Sequence, residues 1–228
     1  MFCSNKGGTM GDVDCRNIFN HISCIENEYE ENNPSSHKTI IIKSLNHLGY
    51  KYDLPNMYYD VLKQNPQLYE LIYNHYRLAF DECKYDEASW ILPFFHYKWC
   101  EIIVPILIDD YKKECIPDNM RWCISDALYT IHSKKYLDDY VRIANDKRYG
   151  INRQLIILLI GRVKSDESID DLICLLNDRQ VELHALYALS NYKKLQLRYI
   201  FESYLKSDNS AMRRRAKKWC DDMMRLKK

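Results

Sequence analysis

Four stretches in the second half of the chain carry one apolar pattern, and this repetition limits the fold more than any other feature of the sequence. Arg121 to Ile131, Arg153 to Val163, Leu183 to Tyr192 and Arg213 to Met223 superpose at offsets of 32, 29 and 31 residues. The offsets bring Ile124, Ile156, Ala185 and Ala216 into one column and Leu128, Ile160, Leu189 and Cys220 into a second. Ile131, Val163, Tyr192 and Met223 form a third. The spacing i, i+4, i+7 is one face of an α-helix, and its recurrence at a fixed period marks a repeat architecture.

Each unit carries a further apolar-periodic stretch: Leu137, Tyr140, Val141 and Ala144, then Ile169, Leu172, Ile173 and Leu176, then a less regular one from Leu197 to Leu205. Polar breaks at Ser133-Lys-Lys, Lys164-Ser-Asp-Glu and Ser207-Asp-Asn-Ser separate the helices. A single helix pair cannot bury its own apolar face, so neighbouring pairs are expected to stack into a continuous core. With only 6 Gly and 6 Pro among 228 residues the chain is poor in turn formers, which again favours helix over sheet. The expected fold is all-α, an α-α superhelix with a divergent helical N-terminal part.

Three regions follow from this pattern. Residues 1–36 hold a polar start and one helix over Val13–Glu31, with apolar positions at Ile18, Phe19, Ile22 and Ile25. The run from Glu30 to Ser36 breaks that helix and reads as a linker. Residues 37–118 form an aromatic-rich helical region, with 15 of the 29 aromatics between Tyr50 and Tyr111. Helices are expected there over 39–48, 56–64, 67–83, 86–95 and 97–114, the last kinked at Pro105. Aromatics at helical spacing are read as packing rather than as a stacking platform. Residues 119–228 carry the repeats and a basic terminal helix.

The formal net charge of +1 conceals an asymmetry. Residues 1–118 hold 11 Lys and Arg against 18 Asp and Glu, a net −7; residues 119–228 hold 22 against 14, a net +8. Spread over many helices, these charges mostly solvate outer faces. No apolar run reaches the length of a membrane span, and Met1 to Cys15 lacks the apolar core of a secretory signal. The 9 cysteines are scattered, with no Cys-x-x-Cys pair, which points to a reducing cytoplasm.

The unit resembles the short bacterial HEAT repeats known from phycobilin lyases. Tyr97-Lys-Trp-Cys-Glu-Ile-Ile-Val-Pro-Ile-Leu-Ile-Asp-Asp-Tyr111, Met120-Arg-Trp-Cys-Ile-Ser-Asp-Ala-Leu128 and Asn145-Asp-Lys-Arg-Tyr-Gly150 resemble segments of bacterial HEAT-repeat proteins without an assigned activity. The resemblance spans roughly residues 95–223 and implies a solenoid that serves as a scaffold or binder. An Asp-rich turn followed by Arg at the next helix start (Asp146 and Arg153, Asp208 and Arg213) implies a ladder tying adjacent repeats. More distantly, the chain resembles the HEAT-like DNA glycosylases that excise alkylated purines with Trp, Asp and Arg on a basic face. Trp122 and Asp126, four residues apart on one helix, and Arg162 one repeat later are the matching positions. In that chemistry the carboxylate would stabilise a cationic sugar and the Arg would hold a phosphate.

Other catalytic patterns are missing from the sequence: there is no Gly-x-Ser-x-Gly, no His-Glu-x-x-His and no phosphate-binding glycine loop. The histidines at 21, 37, 47, 75, 96, 132 and 184 lack metal-ligand spacing, so neither a metal nor a cofactor is expected. His184 is read as a satisfied core or boundary imidazole, and the Asp pairs at 109–110, 138–139, 170–171 and 221–222 as solvated faces.

The first functional expectation is a non-enzymatic module, monomeric or weakly dimeric, that binds another protein as an adaptor, regulator or toxin-neutralising binder. Its contacts are expected near Tyr136, Asp139, Tyr140, Asp170, Asp171, Arg198 and Tyr199, on the second helices of the pairs. The second is DNA binding, with base excision by Trp122, Asp126 and Arg162 and phosphate contacts from Arg213, Arg214, Arg215, Lys217 and Lys218. For those five basic residues the competing role is the polar cap of a terminal helix.

Overall fold

A computed structural model describes residues 36–48 and 62–225; the expected helix over Val13–Glu31 and most of the one over 56–64 lie outside them. The described residues are all-α, with no strand among them. By internal contacts the chain divides between Ile91 and Leu92, ahead of the change in charge at residue 119.

In the first unit, α1 (His37–His47) packs on α2 (Leu68–Asp81) and α3 (Tyr85–Ile91). Ser36 starts α1, its hydroxyl accepting from the Thr39 N–H at 3.1 Å, the usual N-cap bond. Ile41, Ile72, Tyr76, Ala79, Ala88 and Ile91 supply a fully buried apolar core. A polar seam runs beside it, where His37, Lys38, Thr39 and Glu87 are all buried. The Lys38 N–H donates to Glu87 Oε2 at 3.2 Å, and His37 Nδ1 faces His75 Nδ1 at 3.0 Å.

The second unit opens with 3-10 turns at Leu92–Phe95 and Lys98–Ile103, followed by α4 (Val104–Lys112). Pro105 does not kink a long helix as expected. It occupies the first turn of α4, where the missing N–H costs nothing, and the break falls earlier, at the non-helical Cys100. Seven helices follow: α5 (Asp118–Ile131), α6 (Leu137–Asn145), α7 (Gln154–Val163), α8 (Ile169–Leu175), α9 (Glu182–Leu189), α10 (Arg198–Tyr204) and α11 (Ser210–Arg225). Alternate helices α5, α7, α9 and α11 pack each against the next, and each of α4, α6, α8 and α10 packs on the helix that follows it.

The repeat columns are the buried face. Ile124, Ile156, Ala185 and Ala216 are fully buried, as are Leu128, Ile160 and Leu189. Ile131, Val163, Tyr192 and Met223 are also buried, while Cys220 is only half-buried. Gly161 marks the closest approach within the stack: a Cβ there would lie 2.5 Å from the Ala188 Cα. Helices α5 and α7 end alike, on His132 (φ +42°) and Lys164 (φ +59°), left-handed residues at one position of the repeat.

Candidate interaction surface

The arginines that open the first helices hold the turns beside them. Arg121 donates to the carbonyls of Tyr111, Ile116 and Lys113, and Arg213 to those of Ser207 and Asp208. Arg153 is fully buried and donates to Gly150 O at 2.8 Å and Ala144 O at 3.0 Å. Its Nη2 pairs with Asp178 Oδ2 at 2.8 Å, in the next unit. Gly150 allows this with φ +51°, a backbone that favours glycine. The guanidinium hydrogen bond holds the Asp178 carboxyl below its ordinary pKa. The expected pairing differs: Arg153 pairs forward with Asp178 rather than with Asp146, Asp146 pairs with exposed Arg148 at 2.6 Å, and Arg213 meets the Asp208 carbonyl.

Arg162 belongs to a second tie of this kind. Its Nη1 donates to Tyr129 O at 3.1 Å and its guanidinium lies 4.9 Å from the Tyr129 ring. One repeat on, Asn191 Nδ2 donates to Gly161 O at 2.9 Å. Offsets of 32 and 29 carry Tyr129 to Gly161 and Arg162 to Asn191, so the two contacts occupy one register. Both acceptors lie in a last helical turn, whose carbonyls lack intrahelical donors. Trp122 is exposed, and Asp126 lies 3.9 Å from His96 Nδ1. Among the described residues, no hydrogen bond or ion pair joins any two of Trp122, Asp126 and Arg162. Asp126 and Arg162 face separate local partners, and Trp122 stands exposed.

The second-helix residues divide by exposure. Tyr140 is fully buried, which removes it from a contact surface, and burial raises its phenol pKa. Tyr199 and Asp170 are exposed, and Tyr136 is half-buried. Asp139 accepts from Lys112 Nζ at 3.1 Å, and Asp171 from Asn145 Nδ2 at 3.0 Å. Asp138, Asp139, Asp170 and Asp171 all lie in first helical turns, where the helix dipole favours acids. Asp110 departs from the solvated-face expectation: it is buried beside Lys113 Nζ at 3.2 Å. His184 departs too, since it is half-buried with no hydrogen-bond partner on Nδ1, and burial lowers its pKa.

Helix α11 has a buried face and an open one. Trp219 fills the buried one, stacked on Phe201 at 4.3 Å with its indole N–H donating to Tyr192 O at 2.9 Å. The second carries Lys217, exposed at the column where Ser125, Ile157 and Leu186 are fully buried. Arg214 and Lys218 are also exposed, whereas Arg215 lies 3.7 Å over the Tyr187 ring. Towards its C-terminal end the open face joins α10 in an apolar groove of about 190 Å³ lined by Leu195, Arg198, Glu202, Leu205, Trp219, Cys220, Met223 and Met224. Arg198 donates to Glu202 at 2.7 Å across one wall.

Of the groove residues, Arg198 alone is among the contacts expected from the sequence. A signal was present. Leu195 opens its 3-10 turn where Lys134 and Asp166 open theirs, and Met224 falls in the column of His132, Lys164 and Lys193. Two polar positions have become apolar at the last pair, and both side chains are more than half exposed, at 56% and 61%.

Compared with protein-family models, with curated proteins and with solved structures, the chain gives no match. Among the described residues no helix is long and apolar enough to cross a membrane, and no group of three or more His, Cys, Asp or Glu is placed to hold a metal ion.

Proposed function

We propose that the chain from residue 119 onward is a HEAT-type solenoid acting as a non-enzymatic protein-interaction module. One observation carries this reading: the same inter-repeat tie recurs in register, Arg162 to Tyr129 O and Asn191 to Gly161 O. Recurrence of a contact at the repeat period is what stacked, equivalent pairs produce. The polar outer face of α11 supports it, since Lys217 stands where the inner pairs bury Ile157 and Leu186. The reading includes a cytoplasmic setting, on the strength of scattered rather than paired cysteines, and a monomer or weak homodimer.

The glycosylase alternative loses support where its residues are employed otherwise, Arg162 above all. Affinity capture from the native cell separates the two readings. A partner retained by the full chain and lost on Asp170→Lys with Asp171→Lys, helical content unchanged by circular dichroism, is the expected result. Duplex DNA binding that falls steeply with salt, with Asp126→Asn blocking release of an alkylated base, would replace the module reading with the enzyme.

A further inference from the structure

We infer that the groove between α10 and α11 takes an acidic, amphipathic helix from a partner protein. The inference rests on the interaction-module reading and names the class of partner. One wall runs from Leu195 of the 3-10 turn through Arg198 and Glu202 of α10 to Leu205 at its end, and the other is the stripe of Cys220 and Met224 on α11. The wall from Leu195 to Leu205 rises about 15 Å, the length of roughly ten helical residues. Leu195, Leu205 and Met224 stay exposed beside Met223 and the edge of Trp219. A floor of Leu and Met suits an apolar stripe at i, i+3 or i+4, and i+7, with methionines that adjust to the knobs they meet.

Charge selects among such helices. Arg198 and Glu202 neutralise each other within the groove. On α11, however, the stripe through Met224 and Cys220 continues at helical spacing to Lys217 and Arg213, both exposed. Arg214, Lys218 and Arg225 are exposed on the same helix, against Asp221 and Asp222, and Lys193 already pairs Asp222 at 3.1 Å. An occupant lying along α11 therefore meets apolar surface at one end and cations at the other. Acidic residues flanking an apolar stripe match that field, and basic ones are repelled.

Fluorescence anisotropy of labelled peptides against the full chain tests this. The probes are a helical peptide of roughly 15 residues with Leu along one face and Glu elsewhere, a scrambled isomer of the same composition, a Lys-for-Glu version, and a short duplex DNA. The acidic amphipathic peptide should bind at least tenfold more tightly than the isomer or the Lys version. Met224→Glu and Leu195→Glu should each weaken it tenfold or more, and Ile151→Glu, equally exposed but outside the groove, should leave it unchanged. Equal affinity for the isomer, or full affinity in both groove variants, overturns the groove. So does duplex DNA that binds more tightly than any peptide and displaces it. A native partner still lost on the Asp170 and Asp171 reversal would then leave the module standing without this groove.

Discussion

The two units solve the same problem, burying one face of short helices, with different materials. The second repeats itself: column after column is apolar, and Ile124, Ile156, Ala185 and Ala216 are interchangeable in role. The first repeats nothing, and beside its apolar core it buries His37, Lys38, Thr39 and Glu87 within one seam. A repeated core tolerates loss at one position because neighbours share the load through ordinary packing. A polar seam depends on each partner, because a buried group left unsatisfied costs its full desolvation. The second unit nonetheless buries charge as the first does, at Asp110 and most completely at Arg153.

Asp178→Ala tests that exception and should give the largest effect in the molecule. It strips the carboxylate from a fully buried guanidinium, a change that costs about 3–5 kcal/mol where the remaining charge stays uncompensated. Chemical denaturation followed by hydrogen exchange over 154–189 would read it. Asp146→Ala, whose partner Arg148 is exposed, should cost far less. Equal losses in the two variants would mean that Arg153 is no special link between repeats.

Gly161→Ala comes next, at about 1–3 kcal/mol. The added methyl would have to displace the Ala188 backbone, and no rotamer can move it aside. An unchanged melting temperature would show that α7 and α9 slide freely, contrary to an in-register stack. The glycine illustrates what could be read in advance. Register, helix order and the buried columns followed from spacing, because a helical face is encoded every three or four residues. The use of Arg162 did not, since a guanidinium on a helix can reach a phosphate, a carboxylate or a neighbouring carbonyl, and only the packing of the adjacent helix decides. The apolar groove left a trace at Leu195 and Met224, but a change of one residue in a column is visible only after the columns are aligned. In the first unit, with no repeat to compare, the burial of Lys38 and Glu87 left no trace in local pattern at all.

Acidification should separate the units more gently. Burial, and then the facing His37, lower the pKa of His75, and Glu87 opposes both. His184 is lowered by burial alone. In each case the unfolded chain binds the proton more readily, so the contribution is complete above the ordinary histidine value near 6.5 and is lost as pH falls below it. In the first unit the two Nδ1 atoms at 3.0 Å need one donor and one acceptor, so a second proton breaks the pair. Exchange across 68–81 should therefore rise between about pH 7 and 5 more than across 182–189, and His75→Gln should flatten that rise. A rise confined to 182–189 would place the pH-sensitive contact in the repeat unit instead.

The smallest effect tests whether the units share a cost. Lys164 (φ +59°) and Cys83 (φ +59°) both end helices in the left-handed region, which penalises a side chain. Both are exposed, so replacing either by glycine removes the strain without opening a cavity. Lys164→Gly should gain about 0.5–1 kcal/mol, after the extra freedom glycine gives the unfolded chain is set against the relief. Cys83→Gly should gain less, because Tyr85 OH lies 3.6 Å from its sulfur and that contact is lost. Thermal melts of the two variants decide it. A gain at Lys164 matched by a loss at Cys83 would mean that the first unit uses its helix end as a packing contact, and that its reliance on individual side chains extends beyond the buried seam to its surface.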